Sequence, residues 1–268
     1  MVDAIQNTLD TQEAVHNLAV SVRGLRTQFG SQVIHDDLDL DIEAGEVFGI
    51  VGGSGTGKSV MVRTIIGLIQ PAAGEIRVFG QDTQASGPAM KTLRQQWGVM
   101  FQDGALFSSL TVAENIEVPL KEHTRLSAAG RRDVVGLKLQ LAGLELSAGS
   151  KFPSELSGGM RKRAGLARAL ALDPRIVFLD EPTAGLDPVS AARFDELILN
   201  LQQALGLTVV MITHDLDSLY TVCNRIGVLL NKQAIAGTIQ EIGVRKEPWI
   251  QEYFGGPRGR AAAFTKEA

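Results

Sequence analysis

Residues 52–59 read Gly52-Gly53-Ser54-Gly55-Thr56-Gly57-Lys58-Ser59, a match to G-x-x-x-x-G-K-[ST]. Each residue type has a chemical reason at its place. The glycines Gly52, Gly53, Gly55 and Gly57 let the backbone wrap a phosphate with its N–H groups pointing inward, with Ser54 and Thr56 as the other members of the binding loop. A helix that begins at the loop directs the positive end of its dipole at the anion. Lys58 is placed to bridge the β- and γ-phosphates of a nucleotide, and the Ser59 hydroxyl to ligate Mg²⁺.

A second centre follows far along the chain. Ile176-Val177-Phe178-Leu179 is an apolar run that ends in two carboxylates, Asp180 and Glu181. A buried strand of this kind delivers Asp180 to hold Mg²⁺, directly or through water. Glu181 then points where water must attack the γ-phosphate, and a carboxylate there can orient and deprotonate it, worth about 10²–10⁴-fold. A third element, Leu156-Ser157-Gly158-Gly159-Met160, precedes a helical run. Ser157 is a good N-cap, and Gly158 and Gly159 at a helix start make a second phosphate-seeking N-terminus.

The elements that must position these residues follow from periodicity. Leu18 to Ile42 alternates as two antiparallel strands around a turn at Phe29-Gly30-Ser31. Glu46–Val51 is a buried strand feeding the glycine loop, with a helix from Gly57 to about Ile69; Glu75–Phe79 and Trp97–Phe101 are further strands. From about 103 to 172 helical periodicity takes over, over Val112–Leu120, Ser127–Leu141 and Gly158–Leu172. Strands at Ile176–Leu179, Thr208–Ile212 and Ile226–Leu230 then alternate with helices at Pro188–Ala204 and Leu216–Cys223. This order predicts an α/β fold with a mostly parallel sheet, an antiparallel β subdomain and an inserted helical subdomain. The expected organisation is a polar leader over 1–17, one domain over 18–245, and a tail over 246–268 that leaves the core after about Ile242.

Composition narrows the function classes. The chain has 268 residues, 44% apolar and 21% charged, with a net charge of −4 and 5% aromatics. That is globular, and a poor profile for general nucleic-acid binding. The single cysteine, Cys223, cannot form an intrachain disulfide and fits a reducing compartment. No apolar run approaches the roughly 18 to 20 residues that span a bilayer, and the first residues lack a signal-peptide pattern. The protein is therefore expected in the cytoplasm, with any membrane role supplied by a partner. His16, His35 and His123 have no partner pattern and are expected at the surface; Cys223 and the methionines are expected to fill the core.

Taken together, these motifs resemble the ATP-binding-cassette family over about residues 18–245. The resemblance implies that LSGGM caps the γ-phosphate of ATP held by the phosphate loop of a second copy, so that ATP and Mg²⁺ lie in two composite sites of a homodimer. It further implies roles for single residues. Gln102 in FQDGALF would reach Mg²⁺ and the attacking water. Asp187 in AGLD would act across the dimer, and His214 in ITHD would contact the γ-phosphate. Phe29 would stack on adenine, its plain alternative being a turn aromatic. Met160 departs from the glutamine common in cassettes, and a thioether cannot make the same hydrogen bonds.

The longer run FQDGALFSSLTVAEN, then VPLKEHT, LSGGM and EPWIQEYFGGPRGRAAA, is similar to ATPases of the Mla-type lipid transporters. That narrower resemblance implies phospholipid cargo and a peripheral place on the cytoplasmic face of a bacterial inner membrane. Its implied partners are a membrane permease (MlaE-like), an MCE-class substrate-binding protein (MlaD-like) and a STAS-domain protein (MlaB-like), with no nucleic acid. The helical insert and the Gln102 loop would receive a short helix of the permease. The tail aromatics Trp249, Tyr253 and Phe254 are expected to contact the second copy or a partner. The competing readings are an importer ATPase for amino acids or another polar solute, and a non-transport cassette acting on nucleic acid or ribosomes.

Overall fold

The computed structural model describes residues 17–256 apart from Ser86 and Asp103. The leader, Asn17 aside, and the tail beyond Gly256 lie outside these residues, and His16 with them. The chain opens with β1 (Leu18–Phe29) and β2 (Gln32–Glu43), an antiparallel hairpin whose alternating apolar residues bury one face. β3 (Val47–Gly52) runs into the glycine loop and α1 (Lys58–Ile65). This helix stops short of Ile69 because Gly67 turns left-handed, with φ 73°. β4 (Ala73–Val78), β5 (Gln81–Asp82), α2 (Pro88–Arg94) and β6 (Trp97–Met100) follow.

A helical block separates β6 from the next strand. α3 (Val112–His123) starts at a capping box between Thr111 and Glu114, and α4 (Ala128–Leu141) at the Ser127 hydroxyl. α5 (Gly158–Ala169) starts at Ser157, whose hydroxyl accepts from the Met160 N–H at 3.2 Å. Val112, Ile116, Leu120, Leu139, Ala164 and Ala167 close a small core of their own among these helices.

Strand and helix then alternate: β7 (Ile176–Asp180), α6 (Pro188–Leu205), β8 (Thr208–Ile212), α7 (Leu216–Val222), β9 (Arg225–Leu230) and β10 (Gln233–Gly237). α8 (Ile239–Gly243) and α9 (Pro248–Gly255) end the described chain. The main sheet has order β10-β9-β3-β8-β7-β6, parallel throughout except for β10. The second sheet, β2-β1-β4-β5, is antiparallel.

The period of two decides which core each residue enters. Val47, Val51, Val177, Leu179, Val209 and Met211 face α5–α9, whereas Phe48, Ile50, Ile176, Phe178, Val210 and Ile212 face the antiparallel sheet and α1. The tail does not leave the core at Ile242. Ile242, Ile250 and Phe254 are buried in the same cluster as β3, β7 and β8. Ile250 and Phe254 stand at i and i+4, which puts both on one face of α9, and Pro248 fixes its first turn.

Two further expectations are corrected by burial. His35 is fully buried, because its place in β2 points it beneath the glycine loop. The His123 side chain is 19% exposed rather than free at the surface. Cys223, Met61, Met90, Met100 and Met211 are buried core residues, as expected.

Candidate functional site

Parallel strands bring their carboxyl ends to one edge, and that edge gathers the chemistry. Ile50 of β3 and Asp180 of β7 both lie on the rung of Ile212 in β8. The segments just beyond are therefore neighbours: the glycine loop after β3, Glu181 after β7 and His214 after β8. β6 pairs with β7 and delivers Gln102 to the same edge.

Within the loop, the Lys58 ammonium donates to the Gly52 carbonyl at 2.8 Å and to the Gly53 carbonyl at 2.9 Å. Thr56 Oγ1 closes the loop by donating to the Gly53 carbonyl at 2.9 Å. Gly57 is obligatory for two reasons. Its φ is 98°, and a Cβ there would meet Ile34 Cγ2 at 2.5 Å and His35 Nε2 at 2.6 Å. Burial lowers the Lys58 pKa, while Glu181 and Asp180 oppose that shift; Lys58 thus lies within the field of both carboxylates.

Glu181 is the most constrained residue of the edge. It is 8% exposed and has a left-handed φ of 51°, a conformation that costs an ordinary residue about 1–2 kcal/mol. Its N–H donates to the Ile212 carbonyl at 2.9 Å. Its Oε1 lies 2.7 Å from His214 Nε2. Burial first, then the neighbouring Asp180 charge, push its pKa up to about 7, with Lys58 and Lys162 pulling the other way. Burial and Lys58 together lower the His214 pKa, against Asp180. A carboxyl near 7 beside an imidazole below its ordinary value is matched to moving a proton at neutral pH.

Magnesium would find oxygen donors here. Ser59, Asp180 and Gln102 offer a hydroxyl, a carboxylate and an amide oxygen, the hard donors this ion prefers. Among the described residues no group of three or more His, Cys, Asp or Glu forms a cage. That suits an ion held by few protein groups and by phosphate oxygens.

The remaining expected residues lie in other surroundings. Phe29 is 51% exposed at the tip of the β1–β2 hairpin. Gly158, at the start of α5, and Ala184-Gly185-Leu186 line a cleft of about 370 Å³. Asp187 caps α6, accepting from the Ser190 N–H at 3.0 Å and from its hydroxyl at 2.6 Å, which lowers its pKa. Among the described residues no hydrogen bond or ion pair joins Phe29, Asp187 or Ser157–Gly159 to the Lys58–Glu181–His214 group.

Contacts at the site from Lys162, His35, Tyr253 and Trp249 were not expected from the sequence. Lys162 in α5 is 6% exposed and donates to the backbone carbonyls of both Gln102 and Glu181, the latter at 2.8 Å. His35 lies against Gly57, with Nδ1 2.7 Å from Thr27 Oγ1, and burial lowers its pKa to about 4. Tyr253 donates to the His214 carbonyl at 3.3 Å, and Trp249 stacks on it with centroids 4.7 Å apart. The Trp249 indole nitrogen lies against Gly53. Trp249, Tyr253 and Phe254 thus pack on the edge and core of their own chain. Only Ile250 and Phe254 carried a signal for this, through their i, i+4 spacing.

Known proteins match this arrangement. Residues 35–184 match the family model described as ABC transporter. The chain is 43% identical over 243 residues to a Mycobacterium leprae protein called "Probable ribonucleotide transport ATP-binding protein mkl", covering 90% of this chain and 70% of that one. It is 36% identical over 247 residues to the Escherichia coli K12 "Intermembrane phospholipid transport system ATP-binding protein MlaF", covering 91% of each. Among solved structures, the dimeric post-hydrolysis state of the cassette MJ0796 bound to ADP and Pi superposes with a TM-score of 0.75 at 31% identity, over 82% of this chain and 98% of that one. The cbiO1 protein of Clostridium perfringens, part of the cbiONQ transporter complex, gives 0.77 at 28% identity, over 93% and 99%. A phosphate loop, an acidic strand end and a histidine brought to one edge of an ABC-type sheet agree with these matches: the chain belongs to the ABC transporter family and is an ATP-hydrolysing cassette.

Proposed function

We propose that two copies of the chain close on two Mg·ATP and drive phospholipid movement between the inner and outer membranes. The contact that carries the hydrolytic part is Glu181 Oε1 against His214 Nε2 at 2.7 Å, beside the buried Lys58. ATP binds with its phosphates in the loop 52–59 and its adenine on Phe29. Ser157, Gly158 and Gly159 of the second copy cap its γ-phosphate, and Asp187 acts across the same interface. Ser59, Asp180 and Gln102 would hold Mg²⁺, which would supply charge neutralisation to the phosphate oxygens. Glu181 takes a proton from the attacking water as base. Lys58 and His214 stabilise the charge that develops on the γ-phosphoryl group.

Phospholipid cargo is supported by the MlaF likeness, which spans 91% of both chains. On this reading the chain sits on the cytoplasmic face of the inner membrane under a permease, with an MCE-class substrate-binding protein and a STAS-domain protein. It contacts the membrane only through them, and no described helix is long and apolar enough to cross one. The test is purification of the intact complex from native membranes followed by ATP-dependent lipid transfer between vesicles. Co-purification of an MCE-class protein with ATP-dependent transfer is the expected result.

A second reading has its own observation. The higher identity, 43%, is to a protein whose name speaks of ribonucleotide transport. ATP-dependent ribonucleotide uptake by the same purified complex, with no lipid transfer, would favour that polar cargo.

A further inference from the structure

The face of α5 that follows the Ser157 cap carries Lys162, Gly165 and Arg168 at i, i+3 and i+6. That face grips the segment after β6. Lys162 donates to the Gln102 carbonyl. Gly165 meets Gly104 so closely that a Cβ would fall 2.9 Å from the Gly104 Cα. Arg168 donates to the Ala105 carbonyl at 2.7 Å and to the Gly104 carbonyl at 3.1 Å. The helix and the Gln102 segment are thus joined by hydrogen bonds and close packing.

Lys162 alone also reaches the other way, donating to the Glu181 carbonyl at 2.8 Å. A cation only 6% exposed is costly unless its hydrogens meet acceptors, and backbone carbonyls of two catalytic segments supply them. Glu181 is thereby tied on both sides of its left-handed backbone: its N–H to Ile212 at 2.9 Å and its carbonyl to Lys162. A relaxed backbone at this residue would swing the carboxylate away from His214. Loop strain of this kind persists only where surrounding contacts over-determine it.

We propose that Lys162 is a positioning residue for Glu181, holding its strained backbone in register and coupling it to the Gln102 segment through one buried ammonium. This rests on the reading of Glu181 as the base. The contact of Lys162 with Glu181 is to its backbone carbonyl, and its charge also favours the ionised Glu181 carboxylate. A displacement of the Gln102 segment reaches the base through it, which gives the cassette a short mechanical route from the helical block to the hydrolytic water.

The experiment compares the full-length chain with Lys162→Met, Lys162→Gln, Lys162→Arg and Glu181→Gln. Steady-state kcat, ATP Kd by fluorescent-nucleotide titration and melting temperature are measured for each. Lys162→Met should lower kcat at least about tenfold while leaving ATP Kd within about twofold, because binding is not its task. Lys162→Arg keeps a donor for both carbonyls and should recover most of the loss. Turnover of Lys162→Met within twofold of the parent overturns the inference. So does a loss of kcat, ATP binding and melting temperature in step, with Lys162→Arg no better than Met. Should the Met chain fail to fold, Lys162→Gln replaces it: intermediate turnover at unchanged Kd supports the role, and parental turnover refutes it. Retained turnover in Glu181→Gln would instead remove the base assignment itself.

Discussion

The carboxyl edge of the main sheet and the helical block α3–α5 obey different rules. In the block, the helix starts follow local preference. Each helix starts at a hydroxyl cap, and Asn115, fully buried, accepts from the Phe107 N–H and donates to the carbonyls of Phe107, Leu110 and Thr111. At the edge, local preference and tertiary contacts conflict. Glu181 holds a left-handed backbone, Lys58 is a buried cation, and the His35 imidazole is fully buried beneath the glycine loop. Proteins keep such conflicts where function needs them and offset them elsewhere. The difference teaches that the block supplies stability and a rigid grip, while the edge holds the groups whose energies are poised to change with ligand.

That contrast can be broken by experiment. Glu181→Gln should remove turnover by at least about 10²-fold while ATP still binds; unchanged phosphate release would end the distinction at its centre. Lys58→Ala should weaken ATP binding by roughly 10- to 100-fold in a nucleotide titration, the worth of a charge-assisted hydrogen bond.

Two buried titratable groups flank the edge with opposite signs. His35 has a folded pKa of about 4 against an ordinary 6.5, so the unfolded chain binds its proton first. Its stability contribution is complete above pH 6.5 and is lost as pH falls toward 4, by at most about 3 kcal/mol. Asp195, on α6 facing Ser218 of α7, accepts from the Ser218 hydroxyl at 2.7 Å, and burial raises its pKa from 3.8 to about 6. Here the folded state holds the proton, so stability is greatest below pH 3.8 and falls as pH rises to about 6, again by at most about 3 kcal/mol. Melting curves of His35→Leu and Asp195→Asn against the parent, from pH 4 to 7, should therefore diverge in opposite directions. Parallel curves would show that neither burial matters.

The smallest effect belongs to the block. Ser127→Ala removes the hydroxyl that accepts from the Gly130 N–H at 3.1 Å. It should cost about 1 kcal/mol of stability and leave turnover alone. A loss of turnover larger than the loss of stability would mean that the two regions do not divide the work.

Much of this was legible in the chain itself. The phosphate loop, Asp180-Glu181, Ser157-Gly158-Gly159 and His214 announce themselves because each is set by contiguous residues at a strand end or helix start. The alternation of strands and helices gave the parallel sheet for the same reason. Lys162 was missed, His35 was placed at the surface and the α9 aromatics were assigned to a partner, because their surroundings come from distant residues. Lys162 lies 60 residues from Gln102 and 19 from Glu181. The β2 pattern around His35 alternates correctly, yet nothing nearby reveals that Gly57 covers it. In the tail, Phe254 was read as a partner anchor and Ile250 was passed over, although their i, i+4 spacing was a signal that both face the core.

The sequence by itself determined which chemistry is possible, since a loop that binds phosphate through consecutive N–H groups needs its glycines and lysine in an unbroken run. The tertiary structure alone decided how that chemistry is held: which carboxylate is strained, which histidine stays neutral, and which lysine joins two segments. Burial and electrostatic energy depend on distance in space, and the groups that set them here are far apart along the chain.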